Sequence, residues 1–93
     1  LEMDVARKQV TRGGKPVNLT AREFTLLYYL IRNQGKVVSR VDITEQVWET
    51  SFETGSNVID VYINFLRKKI DRGYDNKLIH TLVGMGYVLK EQE

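Results

Sequence analysis

The chain has 93 residues, of which 42% are hydrophobic and 28% are charged. These values are ordinary for one globular domain, predicted here to span residues 1–93, and they exclude a disordered or fibrous chain. With no cysteine and one histidine, disulfide scaffolds and thiolate zinc sites are excluded, and neither a metal nor a cofactor is expected. No apolar run approaches the roughly 20 residues of a transmembrane helix. Fourteen basic against twelve acidic residues give a net charge of +2, which permits a nucleic-acid partner without requiring one.

The first nineteen residues are predicted to form β-strands. Val10 stands before a turn that contains Gly13 and Gly14, and Val17 and Leu19 then alternate with proline and a polar residue. Two glycines between two short alternating runs are typical of a β-hairpin turn, and a plain surface loop is the alternative.

Two helices are predicted to follow the hairpin. Thr20 and Glu23 have the spacing of a capping box, and Gly35 is expected to end the first helix directly after its last turn. Ser39 is the expected N-cap of a second, shorter helix that ends near Trp48. Residues 49–56 carry no apolar period and are predicted to form a loop. The apolar stripe of the first helix consists of Phe24, Leu27, Tyr28 and Ile31.

A third helix is predicted from Asn57 to Asp71, and it has two distinct faces. One face is apolar, with spacings of 4, 3 and 4 residues, and is expected to pack against the core. The opposite face repeats with the same spacings, and Phe65 lies at its edge. The apolar face consists of Ile59, Ile63, Leu66 and Ile70, and the opposite face consists of Asn57, Val61, Asn64 and Lys68.

The last segment, residues 79–89, alternates in the manner of a second β-hairpin, with Gly84, Met85 and Gly86 at its tip. The predicted order is therefore strand, strand, helix, helix, helix, strand, strand. This is the plan of a winged helix-turn-helix, an α+β fold with N-terminal antiparallel strands, a three-helix core and a C-terminal hairpin as the wing.

Four segments of the chain together resemble a known family. Residues 19–27 (LTAREFTLL), 38–40 with 47–48, 57–63 with 66–70, and 79–87 (IHTLVGMGY) are similar, in order and spacing, to the OmpR/PhoB-type effector domains of bacterial response regulators. The resemblance implies a DNA-binding output domain of a two-component transcription regulator, acting in a phosphorelay in the bacterial cytoplasm. It also implies a receiver domain that precedes this chain in a longer protein, and an N-terminal sheet of about four strands whose first strand lies before Leu1.

For the third helix, the resemblance implies insertion into the DNA major groove, where outward side chains face base edges. Asparagine can bond adenine, and valine and phenylalanine can contact thymine methyl groups. A solvated helix face is the alternative, and Phe65 could instead enter the core or face a partner protein. Many relatives carry arginine at the positions of Asn64 and Phe65, so the family's base preference is not transferred. The implied base contacts are Asn57, Val61, Asn64, Phe65 and Lys68.

The resemblance further implies contacts with the DNA backbone, which position a protein without reading sequence. Trp48 could equally be a core aromatic, and Arg67 and Lys69 could form a solvated patch. Val83 stands where many relatives have an arginine, so a charged wing in the minor groove is not expected, while Met85 could pack against the sugar-phosphate edge. The implied backbone contacts are Arg40, Trp48, Arg67, Lys69 and Thr81, and the wing tip consists of Val83, Gly84, Met85 and Gly86.

The resemblance implies three kinds of partner: DNA in tandem half-sites, a second copy bound head to tail, and RNA polymerase at the acidic loop with Glu49 and Glu53. For that loop, an ordinary exposed loop is the alternative. A winged-helix module that binds protein rather than DNA is the second hypothesis, since a fold does not determine a function. An enzyme is disfavoured because His80 alone, without a cysteine or a glycine-rich phosphate loop, makes no catalytic pattern. RNA binding is disfavoured because no aromatic-studded strand of the RNP type appears.

Overall fold

The computed structural model describes residues 1–48 and 57–91. N-terminal strands, three helices and a C-terminal hairpin follow one another, which confirms the predicted winged-helix architecture, and the structure adds a third N-terminal strand. Among the described residues, every helix is too short or too polar to span a lipid bilayer. In chain order the elements are β1 (Glu2–Asp4), β2 (Gln9–Arg12), β3 (Lys15–Val17), α1 (Ala21–Arg32), α2 (Arg40–Val47), α3 (Val58–Leu66), a π-helical turn (Arg67–Asp71), β4 (Ile79–Leu82) and β5 (Gly86–Leu89).

The N-terminal strands form an antiparallel sheet in the order β1-β2-β3. Gly13 and Gly14 both have positive φ values, 59° and 80°, as the two-residue turn between β2 and β3 requires. The predicted hairpin is therefore confirmed. Pro16 lies opposite Thr11 in the ladder, and it is tolerated because β3 is an edge strand. The buried side chain of Val10 anchors the sheet on the core.

The predicted capping box opens α1. The Thr20 hydroxyl accepts from the Glu23 backbone N–H at 3.3 Å, and the Glu23 carboxylate accepts from the Thr20 backbone N–H at 2.8 Å. The end of α1 differs from the prediction, because Asn33 is the C-cap and Gly35, with a φ of 83°, lies two residues beyond it. Ser39 caps α2 as predicted, with its hydroxyl accepting a backbone N–H of the first turn at 3.1 Å.

The core lies between the three helices and the hairpin. The predicted apolar face of the third helix is confirmed, since its four residues are at most 4% exposed. The predicted stripe of α1 is wrong in part, because Leu26 and Leu30 are buried whereas Tyr28 and Ile31 are only half-buried. The helix α1 contacts α2, α3 and β5 at once, so its buried face is wider than one stripe. The largest fully buried side chains are Leu26, Leu27, Leu30, Ile43, Ile63, Leu66 and Ile70.

The C-terminal hairpin is held against the helices by the linker that precedes α2. The last pair of the β4–β5 ladder joins Leu82 to Gly86, so the turn runs over residues 83–85 and Gly86 belongs to β5, which corrects the predicted tip. Val38 adds a further pair, because its N–H donates to the Tyr87 carbonyl at 2.8 Å and its carbonyl accepts from the Tyr87 N–H at 2.9 Å. The position of the wing is therefore set by backbone hydrogen bonds.

A buried ion pair joins the N-terminal sheet to the end of the third helix. The Arg12 guanidinium lies 3.2 Å from the Asp71 carboxylate, and the two side chains are 8% and 6% exposed. Arg12 also donates to the carbonyls of Ile70 and Asn76, each at 2.6 Å. Asp71 in turn accepts two consecutive backbone N–H groups at the start of β4. We name this arrangement the Arg12–Asp71 clamp, since it connects the sheet, the third helix and the wing.

Candidate nucleic-acid interface

The outward face of α3 and the π-helical turn is exposed, as predicted. Asn57, Val61, Asn64 and Lys68 all lie on the side opposite the core, and Val61 is 38% exposed. The side chains of Asn64 and Lys68 make no hydrogen bond or ion pair within the described parts of the chain. Their polar groups are therefore available to a partner. A helix with such a face fits the major groove of B-DNA, which is about 12 Å wide.

A row of three aromatic rings borders the outward face on one side. Phe65 packs edge-on against Tyr62, with ring centroids 5.6 Å apart, and Tyr62 packs edge-on against Trp48 at 5.2 Å. The guanidinium of Arg22 lies over the Trp48 ring, 5.2 Å from its centroid. Phe65 is 40% exposed and does not enter the core, whereas Trp48 is half-buried. The row thus places Phe65 at the edge of the outward face, in contact with Tyr62.

On the other side of the outward face, Arg40 at the start of α2 is held by Asp60 of α3. The Arg40 guanidinium donates to both carboxylate oxygens of Asp60, at 2.9 and 3.0 Å, and the Tyr87 hydroxyl donates to the same carboxylate. These three side chains connect α2, α3 and β5. Sequence reasoning missed Asp60 and Tyr87. The sequence does contain a signal for Asp60, because an acidic side chain beside a face that is expected to meet phosphates needs a cation next to it.

Arg67 and Thr81, two of the predicted backbone contacts, contact each other. The Arg67 guanidinium donates to the Thr81 hydroxyl and lies 3.4 Å from the Ile79 carbonyl, so it ties the π-helical turn to β4. A cavity of about 200 Å³ opens between the start of α2 and the wing tip. The structure thus brings Arg40, Thr81 and the wing tip to one place. The cavity is lined by Arg40, Thr81, Leu82, Val83, Gly84, Gly86 and Tyr87.

Lys69 lies apart from the other predicted contact residues. Its ammonium is 2.6 Å from the carboxylate of Glu23, in the capping box of α1. Burial raises the pKa of Glu23, but hydrogen bonds from Lys69 and from Thr20 outweigh burial and leave this pKa below its ordinary value. Lys69 therefore stabilises the start of α1, and the structure does not bring it to the outward face.

The wing tip projects from the body of the protein. Val83 is 94% exposed and Met85 is 62% exposed, so both side chains can contact a partner. Gly84, in the turn, has a φ of 77°, which glycine adopts without steric cost. The predicted polymerase contacts Glu49 and Glu53 lie outside the described residues.

The Asp60 carboxylate predicts a specific acid dependence of stability. The hydrogen bond from Tyr87, and then those from Arg40, hold the pKa of Asp60 below its ordinary value. Such a group stabilises the folded state above its unfolded pKa, at about pH 4, and this stabilisation is lost as the pH falls through the lower, folded-state pKa. We therefore expect the thermal midpoint to fall on acidification below about pH 4, and to fall less in Asp60→Asn. Circular dichroism melts over a pH series measure both, and the same pH dependence in the two proteins would contradict the role of Asp60.

The proteins that this chain resembles are transcription regulators. Residues 14–89 match the family described as "Transcriptional regulatory protein, C terminal". The transcriptional activator protein IrlR of Burkholderia pseudomallei (strain 1026b) is 50% identical over 90 residues, which are 97% of this chain and 39% of that protein. The chain therefore spans about two fifths of the length of this relative.

Two solved structures share the fold. One is the DNA-binding domain of RstA from Klebsiella pneumoniae in complex with the RstA box, which is 26% identical with a TM-score of 0.84, over 95% of this chain and 88% of that chain. The other is the response regulator DrrB, a Thermotoga maritima OmpR/PhoB homologue, which is 32% identical with a TM-score of 0.82, over 95% of this chain and 40% of that chain. The resemblance to OmpR/PhoB-type effector domains is therefore confirmed, and this chain belongs to the family of C-terminal domains of transcriptional regulatory proteins.

Proposed function

We propose that this chain binds double-stranded DNA in a sequence-specific manner, as the output domain of a two-component transcription regulator. The observation that carries the proposal is the exposed face of α3, bordered on one side by the cavity at Arg40 and the wing tip. Membership of the family supports it, as does the RstA domain of the same fold, solved in complex with the RstA box. In this arrangement the third helix enters the major groove, and the hairpin lies as a wing against the adjacent backbone.

Base recognition is assigned to the outward face of the third helix. The amide of Asn64 can bond adenine in two places, and the ammonium of Lys68 can donate to guanine. Val61 and Phe65 present apolar surface to thymine methyl groups, and the contact of Phe65 with Tyr62 orients its ring before DNA arrives. The proposed base contacts are Asn57, Val61, Asn64, Phe65 and Lys68.

Backbone contacts are assigned to the cleft between the third helix and the hairpin. Arg40 neutralises Asp60, so the carboxylate beside the outward face does not repel phosphate. Lys69 is left out of the proposed contacts because its ammonium lies at the capping box of α1, away from the outward face. In this cleft the proposed backbone contacts are Arg40, Arg67 and Thr81, with Val83, Gly84 and Met85 of the wing tip beside them. Trp48, in the aromatic row on the other side of the outward face, is the remaining proposed backbone contact.

A selection from randomised duplexes with the 93-residue chain tests this function. We expect an enriched motif in two tandem half-sites spaced about one helical turn, or ~10–11 bp, apart, with two copies bound head to tail. About five phosphate contacts per copy give a log–log salt slope of about −4 to −5. If no motif is enriched, the exposed apolar surface at Val61 and Phe65 favours the second candidate, a winged-helix module that binds protein.

Removing either of two side chains from the outward face is expected to weaken binding to the selected motif. Asn64→Ala and Lys68→Ala should each cost about 1–3 kcal/mol of binding free energy, and Asn64→Ala should also relax discrimination at one base pair. Fluorescence anisotropy with the motif and its single-base variants measures both effects. Lys36→Ala is the control, because Lys36 is exposed in the linker between α1 and α2. Unchanged affinity in both outward-face variants would argue against the assigned face.

Two further partners belong to the proposal. A receiver domain precedes this chain in a longer protein, which is supported by the 39% share of IrlR that the chain spans. RNA polymerase contacts the segment 49–56, which is supported by the acidic residues Glu49 and Glu53 in it.

A further inference from the structure

A second cavity, of about 250 Å³, lies at the C-terminal end of the third helix, between the π-helical turn and the start of β4. We name it the basic cavity, because four of the described residues that line it carry positive charge. Arg72 and Lys77, two of these four, have no part in the interface described above. The lining residues are Arg67, Lys68, Asp71, Arg72, Lys77 and Ile79.

The carboxylate in the basic cavity is already neutralised from inside the protein. Among the described lining residues Asp71 is the one acid, and it is bound by Arg12 at 3.2 Å and by two backbone N–H groups. The side chains of Lys68 and Arg72 make no hydrogen bond or ion pair within the described parts of the chain. Lys77 donates to the Asp71 carbonyl at 2.9 Å, which places its ammonium at the cavity. Lys68 and Arg72 therefore give the cavity an excess of positive charge.

The basic cavity continues the proposed DNA interface. Arg67 lines it and also bonds Thr81, and Thr81 lines the cavity beside Arg40. Arg67 therefore lies between the two cavities, where the π-helical turn meets the hairpin. We propose that the basic cavity binds a backbone phosphate of duplex DNA, with Arg72 and Lys77 as additional contacts. This inference rests on the proposed function, since it requires the third helix to lie in the major groove.

The chemistry of Arg72 distinguishes a phosphate site from ordinary stabilisation of a helix end. Cations near a helix C-terminus interact favourably with its last carbonyls, and the bond from Lys77 to the Asp71 carbonyl is of this kind. Arg72 is exposed and directs no such bond within the described residues. A guanidinium is suited to bidentate contact with a phosphate, and each phosphate contact adds about 0.9 to the magnitude of the salt slope.

The test compares salt titrations of four proteins on one mixed-sequence duplex of ~30 bp. They are the 93-residue chain, the variant Arg72→Gln with Lys77→Gln, the charge-preserving variant Arg72→Lys with Lys77→Arg, and the control Arg32→Gln with Lys36→Gln. The variant Arg72→Gln with Lys77→Gln and the control change the net charge by the same amount, but Arg32 and Lys36 do not line the basic cavity. For Arg72→Gln with Lys77→Gln we expect the magnitude of the salt slope to decrease by about 1–2. We also expect the affinity near 0.1 M salt to decrease about 5- to 50-fold. The charge-preserving variant and the control should retain both.

An unchanged salt slope in Arg72→Gln with Lys77→Gln, while the unsubstituted chain binds the duplex, would overturn the inference and leave the proposed function intact. Failure of the unsubstituted chain to bind any duplex would instead overturn the proposed function. An equal loss in the control would also overturn the inference, because net charge alone would then account for the effect. Circular dichroism melts verify that each variant is folded. Arg72→Gln by itself provides the same test if the double variant is unstable, since its side chain has no bond to the described residues.

Discussion

Replacing Arg12 with alanine is expected to lower the free energy of unfolding by about 3–5 kcal/mol, because it leaves the buried carboxylate of Asp71 without its cation. Arg12 is 7% exposed, and its guanidinium donates to Asp71 and to the carbonyls of Ile70 and Asn76. Its loss leaves these acceptors short of a donor in a region removed from water. The stacking of Arg12 on Tyr74, 4.2 Å from the ring centroid, is lost as well. Urea unfolding followed by circular dichroism measures the change.

Arg7→Ala is a matched control for this prediction. Arg7 forms an ion pair with Asp4 at 3.9 Å, and the two side chains are 77% and 50% exposed. Exposed pairs of this kind contribute less than about 1 kcal/mol. Both variants remove an arginine that pairs with an aspartate, so the difference between them reports the effect of burial together with the additional contacts of Arg12. Equally small losses in the two variants would show that the Arg12–Asp71 clamp does not stabilise the fold.

Gly86→Ala is expected to be about as destabilising, with a loss of about 3–5 kcal/mol. A Cβ at position 86 would overlap the carbonyl oxygen of Val38 and lie 2.9 Å from the Cα of Ser39. Both are backbone atoms, so the linker and the hairpin would have to move apart. This would break the two hydrogen bonds between Val38 and Tyr87. The φ of 138° adds strain for any residue with a side chain.

Gly84→Ala separates backbone strain from this steric overlap. Gly84 also has a positive φ, 77°, but a Cβ there would meet no atom within 4 Å. We expect a loss of only about 1–2 kcal/mol, the cost of a left-handed conformation for a residue with a side chain. Thermal and urea unfolding of both variants give the comparison. A loss in Gly86→Ala no larger than that in Gly84→Ala would mean that the hairpin can leave Val38 without cost.

The fold could be predicted from the sequence wherever its signals are local. The capping box of Thr20 and Glu23 depends on residues three apart, and the turn at Gly13 and Gly14 depends on two adjacent glycines. The outward face of the third helix follows from the helical period once its apolar face is recognised. The stripe of α1 could not be predicted fully, because the width of its buried face depends on three neighbouring elements. The limits of the short strand β1 cannot be predicted for a related reason, since its pairing with β2 decides them.

The order of the elements and the outward side of the third helix follow from local signals, because both depend on residues close together in the chain. Which charged groups are left for a partner depends instead on contacts between distant segments. Arg12, which stands beside a surface turn, is buried by Asp71, 59 residues away. Lys69 is bound to Glu23, 46 residues away, whereas its neighbour Lys68 remains on the outward face. Periodicity places a side chain on a face, but packing between distant segments decides whether its charge is already paired.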